Sequence, residues 1–233
     1  MPQNDFARSV NLGAERGTIM NDYGNPISDM FADANLQASR QLFQRIKMSD
    51  ADVIVFERFF NTAMSDEYFK ALNENVVWKQ ERAKFYGKFI DLPRLTAWYG
   101  DEGKSYKYSG ITVNPEPWTP TLMEIKKAVE AVSGLEFNSV LLNKYRNERD
   151  SVAWHSDDEP ELGKNPVIGS VSFGETRMFK FKHKTTGLRK AIALPHGSYL
   201  MMKGATQHYW LHQIAKQAVS RGARINLTFR IAG

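Results

Sequence analysis

The chain has 233 residues, 42% of them hydrophobic, with a formal net charge of +5 and no cysteine. That length fits one domain with an extension. The lack of cysteine excludes disulfides, thiolate-bound zinc and iron–sulfur clusters, so a bound metal must draw on carboxylates and five histidines.

In chain order, residues 1–35 are polar and rich in Gly, Asn and Asp, with no sustained periodicity, and read as a flexible arm. Residues 36–47 (LQASRQLFQRIK) predict a short helix. Together they make an N-terminal extension, 1–48, whose acids (Asp5, Glu15, Asp22, Asp29, Asp33) balance its bases (Arg8, Arg16, Arg40, Arg45, Lys47). The positive excess therefore lies in residues 49–233, and a basic globular part suits a polyanion such as nucleic acid. The N-terminus shows no apolar signal region, and no apolar run is long enough to span a bilayer. The expectation is a soluble monomer with no secretion signal and no membrane partner, cytoplasmic in a bacterium or nuclear in a eukaryote.

Ser65 reads as the N-cap of a helix with an apolar stripe at Tyr68, Phe69 and Leu72. A second helix has a cap at Thr119, Pro120 in its first turn, one apolar face (Leu122, Ile125, Val129, Val132) and a stop at Gly134. The period then changes to two. Phe137–Asn147, Val167–Phe173, Arg177–His183, Lys190–Leu194, Ser198–Lys203 and Arg224–Ile231 read as strands. Phe173 to Arg177 (FGETR) reads as a tight hairpin connection. Helices followed by short strands predict a mainly β, α+β fold in which a sheet or barrel is buttressed by helices.

The stretch WHSDDEP, 154–160, places His155 and Asp157 two apart, on one side of a strand. With a third ligand the pair would make a two-His, one-carboxylate triad suited to non-haem Fe(II); without one it is a solvated acidic loop. Downstream, ARINLTFR, 223–230, alternates Arg224, Asn226, Thr228 and Arg230 with Ile225, Leu227 and Phe229. Either this is an edge strand with a solvated basic face, or its arginines point inward and need an anion, which a dicarboxylate would supply. Asn143 and Tyr145 in NKYRN likewise share a strand face.

These motifs, with PR (93–94), YGD (99–101), YKYSG (106–110), PEPWTP (115–120), SVSFG (170–174) and LPHGSYLMM (194–202), resemble the AlkB family of Fe(II)- and 2-oxoglutarate-dependent dioxygenases. The likeness runs from about Phe85 to Arg230 and is nearest to the homologues that repair alkylated duplex DNA. It implies a double-stranded β-helix (jelly-roll) core, with Fe(II), 2-oxoglutarate and O2 as cofactor and co-substrates. By that resemblance His155, Asp157 and His212 are the iron ligands. His212 rather than His208 fits the family's spacing, twelve residues before Arg224. Asn143, Tyr145, Arg224, Asn226, Thr228 and Arg230 match 2-oxoglutarate contacts.

Further residues carry over to the substrate. A recognition lid spans about 85–112. Tyr106, Tyr108 and Ser109 match its base-stacking part, where an aromatic ring clamps an extruded base. Phe85, Tyr86 and Gly87 match a hydrophobic finger that enters the base stack. Asp158 and Glu159 match acids that read a methylated, often cationic base, and Arg94 would neutralise an acid or a phosphate. One departure is clear: QIAKQAVSRGA, between His212 and Arg224, holds only Lys216 and Arg221 where duplex-acting homologues have a basic cluster. The expected function is DNA repair by oxidative demethylation of bases such as 1-methyladenine and 3-methylcytosine, with succinate and formaldehyde released. Alternatives are an RNA demethylase, a protein hydroxylase of the same superfamily, or a non-catalytic nucleic-acid-binding module.

Overall fold

The computed structural model describes residues 43–85, 87–103, 106–108 and 111–233. Two antiparallel sheets face each other. The larger has seven strands, in the order β1 (Phe43–Ile46), β2 (Asp52–Phe56), β13 (Ser198–Lys203), β10 (Ile168–Gly174), β15 (Arg224–Arg230), β8 (Ser139–Tyr145) and β5 (Leu95–Gly100). The smaller has β12 (Arg189–Leu194), β11 (Arg177–His183), β14 (Trp210–Ile214) and β9 (Val152–His155). From β8 onward the chain divides these strands four and four between the sheets, which is the jelly-roll arrangement.

Side-chain alternation assigns the two faces of the larger sheet. Ile54, Phe56, Tyr199, Met201, Ile225, Leu227 and Phe229 turn outward into one core. Val53, Val55, Leu200 and Met202, their alternates in β2 and β13, turn inward to meet Phe179, Phe181, Ile192, Leu194, Trp210 and Ile214 of the smaller sheet. Helix α1 (Thr62–Asn75) contributes Tyr68 and Leu72 to the outer core, and α2 (Pro120–Ser133) contributes Leu122, Ile125, Ala128 and Val129. Thr119 accepts from Leu122 N–H and Gly134 closes α2 in the left-handed region, as the sequence predicts.

Three local expectations change. The cap of α1 is Asn61, whose Oδ1 accepts from Met64 N–H at 2.9 Å; Ser65 is buried inside the first turn. Phe43–Ile46, expected within a helix, is an edge strand paired with β2, because that pairing buries Ile46. Residues 1–42 lie outside the described residues, and with them the rest of that predicted helix. The FGETR turn is no hairpin: β10 pairs with β13 and β15, while β11 pairs with β12 and β14. The chain turns a corner there from one sheet to the other, and His196 Nδ1 accepts from Gly174 N–H at 2.8 Å to hold it.

Two hairpins stand outside the sandwich, β3 (Arg82–Phe85) with β4 (Lys88–Asp91) and β6 (Tyr106–Tyr108) with β7 (Ile111–Val113). A short helix, α3 (Thr206–Tyr209), precedes β14. Among the described residues no helix is long and apolar enough to cross a membrane.

Gly174 has φ +86°, and a Cβ there would lie 2.4 Å from the Ala223 carbonyl oxygen and 2.7 Å from the Phe69 ring. Gly174→Ala should destabilise the fold by about 3 kcal/mol, strain and overlap together. Gly187→Ala, at φ +72° but with open space around it, should cost only about 1 kcal/mol. Equal losses for the two variants in urea unfolding would contradict this account of the corner.

Candidate active site

The polar face of β15 points between the sheets. β15 is a central strand whose arginines turn inward, Arg224 buried and Arg230 partly so; the solvated edge strand is ruled out. The same inner face of β8 carries Asn143 and Tyr145, in register with Asn226 and Arg224. From β10 come Ser172 Oγ, which accepts from Arg224 Nη2 at 2.9 Å, and Ser170 Oγ, which accepts from Asn226 Nδ2 at 2.9 Å. Thr228 Oγ1 donates to Asn226 Oδ1 at 3.2 Å. Arg94 Nε donates to Asn143 Oδ1 at 2.7 Å, so this arginine joins the same polar group.

His155, Asp157 and His212 converge across this space. One potential ligand atom from each lies within 4.8 Å of the other two. The pairing of β9 with β14 sets His155 directly opposite His212, with ring centroids 4.2 Å apart. His155 Nδ1 lies 2.9 Å from the Ala153 carbonyl. A carbonyl only accepts, so Nδ1 carries the proton and Nε2 keeps its lone pair for a metal. Asp157 N–H donates to Gln207 Oε1 at 2.9 Å, which fixes the turn of the loop after β9.

Asp157 is 2% exposed. Burial opposes its ionisation, yet the Arg230 guanidinium, with His212 and His155, outweighs burial and holds the carboxyl below the usual range. Arg230 Nη2 donates directly to Asp157 Oδ1. His212 is pushed down to about 3, first by burial and then by His155. A neutral imidazole and an ionised carboxylate are the forms that bind a cation.

The arginines divide the cleft. Arg230 faces the His–Asp–His cluster and its Nε lacks a partner. Arg224 lies at the other end beside Tyr145, its Cζ 5.2 Å from the ring centroid. Its Nε and Nη1 are buried without a hydrogen-bond partner, and burial pushes its pKa down to about 10. Buried guanidinium N–H groups with no acceptor fit a site made for an anion.

The expected substrate-reading residues are more scattered. Asp158 is half-exposed and takes Lys184 Nζ at 2.9 Å. Glu159 Oε2 is buried without a partner. Gly87, at φ +80°, turns the tip of the β3–β4 hairpin clear of other atoms. Tyr86 and Ser109 lie outside the described residues, as do the side chains of Phe85, Tyr106 and Tyr108. His208 Nε2 lies 2.9 Å from Asn165 Oδ1, away from the ligand cluster.

Ser170, Ser172, Arg177, Lys184 and Gln207 escaped the sequence reading. The serines had a signal, since they alternate in SVSFG with the period of the strand. Arg177 had one too: it shares parity with Phe179 and Phe181, an arginine on an apolar face. Gln207 and Lys184 had none, because each acts across a contact distant in sequence.

Residues 52–230 match the family model described as the 2OG-Fe(II) oxygenase superfamily. The bovine (Bos taurus) alpha-ketoglutarate-dependent dioxygenase alkB homolog 3 is 47% identical over 182 residues, covering 74% of this chain and 63% of that protein. The human (Homo sapiens) DNA oxidative demethylase ALKBH2 is 40% identical over 182 residues, covering 73% of this chain and 70% of that protein. The chain thus spans a little under two thirds of the bovine relative's length. A solved structure described as "The structure of OsALKBH1" shares the fold, with a TM-score of 0.56 at 18% identity, over 80% of this chain and all of that one. On the family match over residues 52–230 and the extent of these identities, the chain belongs to the 2OG-Fe(II) oxygenase superfamily and, within it, to the AlkB homologues.

Proposed function

We propose that this protein is an Fe(II)- and 2-oxoglutarate-dependent dioxygenase that removes N-methyl groups from alkylated nucleic-acid bases. The observation that carries the reading is the His155–Asp157–His212 cluster with ligand atoms within 4.8 Å, set in one cleft with the partnerless N–H groups of Arg224. Two imidazoles and one carboxylate suit Fe(II) and leave positions for a chelating co-substrate and O2. When bound, the iron with 2-oxoglutarate and O2 supplies the oxidising power that hydroxylates an N-methyl group, giving succinate, CO2, formaldehyde and the free base nitrogen.

The chain's own residues supply the rest. His155, Asp157 and His212 hold the metal. Arg230 keeps Asp157 ionised and offers Nε to the metal-side carboxylate of the co-substrate. Arg224 takes the distal carboxylate, supported by Thr228, Asn226, Asn143 and Tyr145. The inner core around Phe179, Phe181 and Trp210 excludes water from this space. Asp158 and Glu159 face the base, with Arg94 linked to the co-substrate group through Asn143. Phe85, Tyr86 and Gly87 on one hairpin, and Tyr106, Tyr108 and Ser109 by the other, handle the nucleotide. The catalytic unit is 49–233, completed by the edge strand Phe43–Ile46, with the remainder of 1–48 as an extension. It acts as a monomer in the compartment that holds its nucleic acid.

Single-stranded DNA or RNA is favoured over duplex by one observation. Arg221, one of two cations in the loop after His212, is spent on Glu175 at 3.2 Å, and its N–H lies 3.4 Å from Glu148 Oε2. Little charge remains there to grip a second strand.

Oligonucleotides bearing 1-methyladenine or 3-methylcytosine, as single-stranded DNA, duplex DNA and RNA, test this directly. With iron and 2-oxoglutarate supplied, succinate and formaldehyde should form in equal amounts, fastest on a single strand. His155→Ala should abolish both. Turnover retained in that variant would sink the iron assignment, and no turnover on any substrate would sink the demethylase reading.

A second outcome concerns pH. The depressed pKa of His212 means the unfolded chain takes up its proton first as pH falls. The stabilisation is whole above about 6.5, the unfolded value, and lost progressively toward about 3. Metal-free protein should therefore lose up to about 1.4 kcal/mol per pH unit from this one group across that window. His212→Gln should flatten the slope; an unchanged slope in the urea midpoint would show that another group controls it.

A further inference from the structure

Arg177 is a second buried cation beside the proposed co-substrate pocket, outside the residues that hold the metal and the co-substrate. It is 1% exposed, as is Arg224, and both guanidiniums lie against the Tyr145 ring, with Cζ at 5.6 Å and 5.2 Å from its centroid. Arg177 is held only by carbonyl oxygens. Nη1 donates to Asn147 O at 3.2 Å, and Nη2 to Asp150 O at 3.0 Å and Ala215 O at 2.7 Å. Its Nε has no partner.

The nearby acid, Asp150, acts on this charge through space but makes its contacts elsewhere. The Asp150 carboxylate accepts from Arg146 at Nε (2.8 Å), Nη2 (3.0 Å) and the backbone N–H (2.9 Å). Arg177 and Arg224 thus sit on one ring with no carboxylate in ion-pair contact with either, among the described residues. The repulsion is felt: Arg224 loses proton affinity to burial first, and Arg177 adds to that loss. Asp150 and Glu175 offset Arg177 only through space, and a site bordered by two cations without contact counter-ions attracts an anion more strongly the more charge it carries.

Position strengthens the case. The three carbonyls belong to the loop after β8, which carries Tyr145, and to the residue after β14, which carries His212. One guanidinium thereby staples the co-substrate end of the cleft to the strand at its metal end.

We propose that Arg177 is a positioning residue that makes the pocket select a dianionic 2-oxo acid over a monoanionic one, through the field at Arg224 and the placement of Tyr145. This rests on the co-substrate reading above.

The test is calorimetric binding to anaerobic, Mn(II)-loaded protein of 2-oxoglutarate and of 2-oxobutanoate, which lacks the distal carboxylate. Arg177→Gln keeps a donor for the carbonyls and removes the charge. It should weaken 2-oxoglutarate binding by about tenfold or more, the scale of one charge-assisted contact, while 2-oxobutanoate changes by less than about twofold. Arg177→Lys keeps the charge and should keep the preference even if its melting temperature falls. Equal weakening of both acids in Arg177→Gln, or a preference lost in Arg177→Lys, overturns the inference. Should the Gln variant not fold, the Lys variant decides alone. If the unaltered protein binds no 2-oxoglutarate, the functional reading fails and takes this inference with it; binding with an unaltered preference in Arg177→Gln overturns this inference only.

Discussion

An ionised carboxylate at 2% exposure survives in a protein interior only if positive charge meets it at contact distance. Asp157 meets that condition through Arg230, whose guanidinium donates directly to its carboxylate. The rest of the molecule is arranged around keeping this pair together with His155 and His212. Arg230 ends the central strand β15, His155 and His212 face each other across β9 and β14, and Asp157 begins the loop that Gln207 holds. The two sheets must pack at a fixed separation for Arg230 to reach across. Two cores serve that purpose, one between the sheets and one beneath the helices.

The same physics extends along β15. An inward arginine is costly unless its N–H groups are satisfied, and Arg224 is satisfied only in part, by Ser172. An unmet donor in a buried site marks the place where a ligand completes the structure. Arg177, Arg146 and Asp150 form the surroundings of that place. Backbone strain is concentrated elsewhere, at the Gly174 corner that carries the chain between sheets.

The peripheral parts obey weaker constraints. The β3–β4 hairpin pairs with itself, and Phe89 and Ile90 on it stay exposed to solvent. These side chains contribute to neither core. Asp158 and Lys184, paired at the edge of the ligand cluster, stand between the two regimes: close enough to the site to shape its charge, exposed enough to exchange partners.

By itself the sequence determined whatever depends on local periodicity. The cap and stop of α2, the strand boundaries near Arg177–His183 and Ser198–Lys203, and the two faces of β15 all follow from spacing along a few residues. The HxD pair and the arginine strand were legible in the same way, although only the resemblance joined them to His212. Tertiary structure alone decided what depends on which strand lies beside which. FGETR has the composition of a hairpin turn, yet β10 and β11 belong to different sheets because β10 buries Val171 and Phe173 beneath the helices while β11 buries Phe179 and Phe181 between the sheets. Asn61 displaced Ser65 as a cap because Ser65 is needed in the core. Whether β15 was a solvated edge or a buried centre could not be read from its alternation, which is the same in both. Burial on both faces chose, and in choosing turned a row of polar side chains into a site.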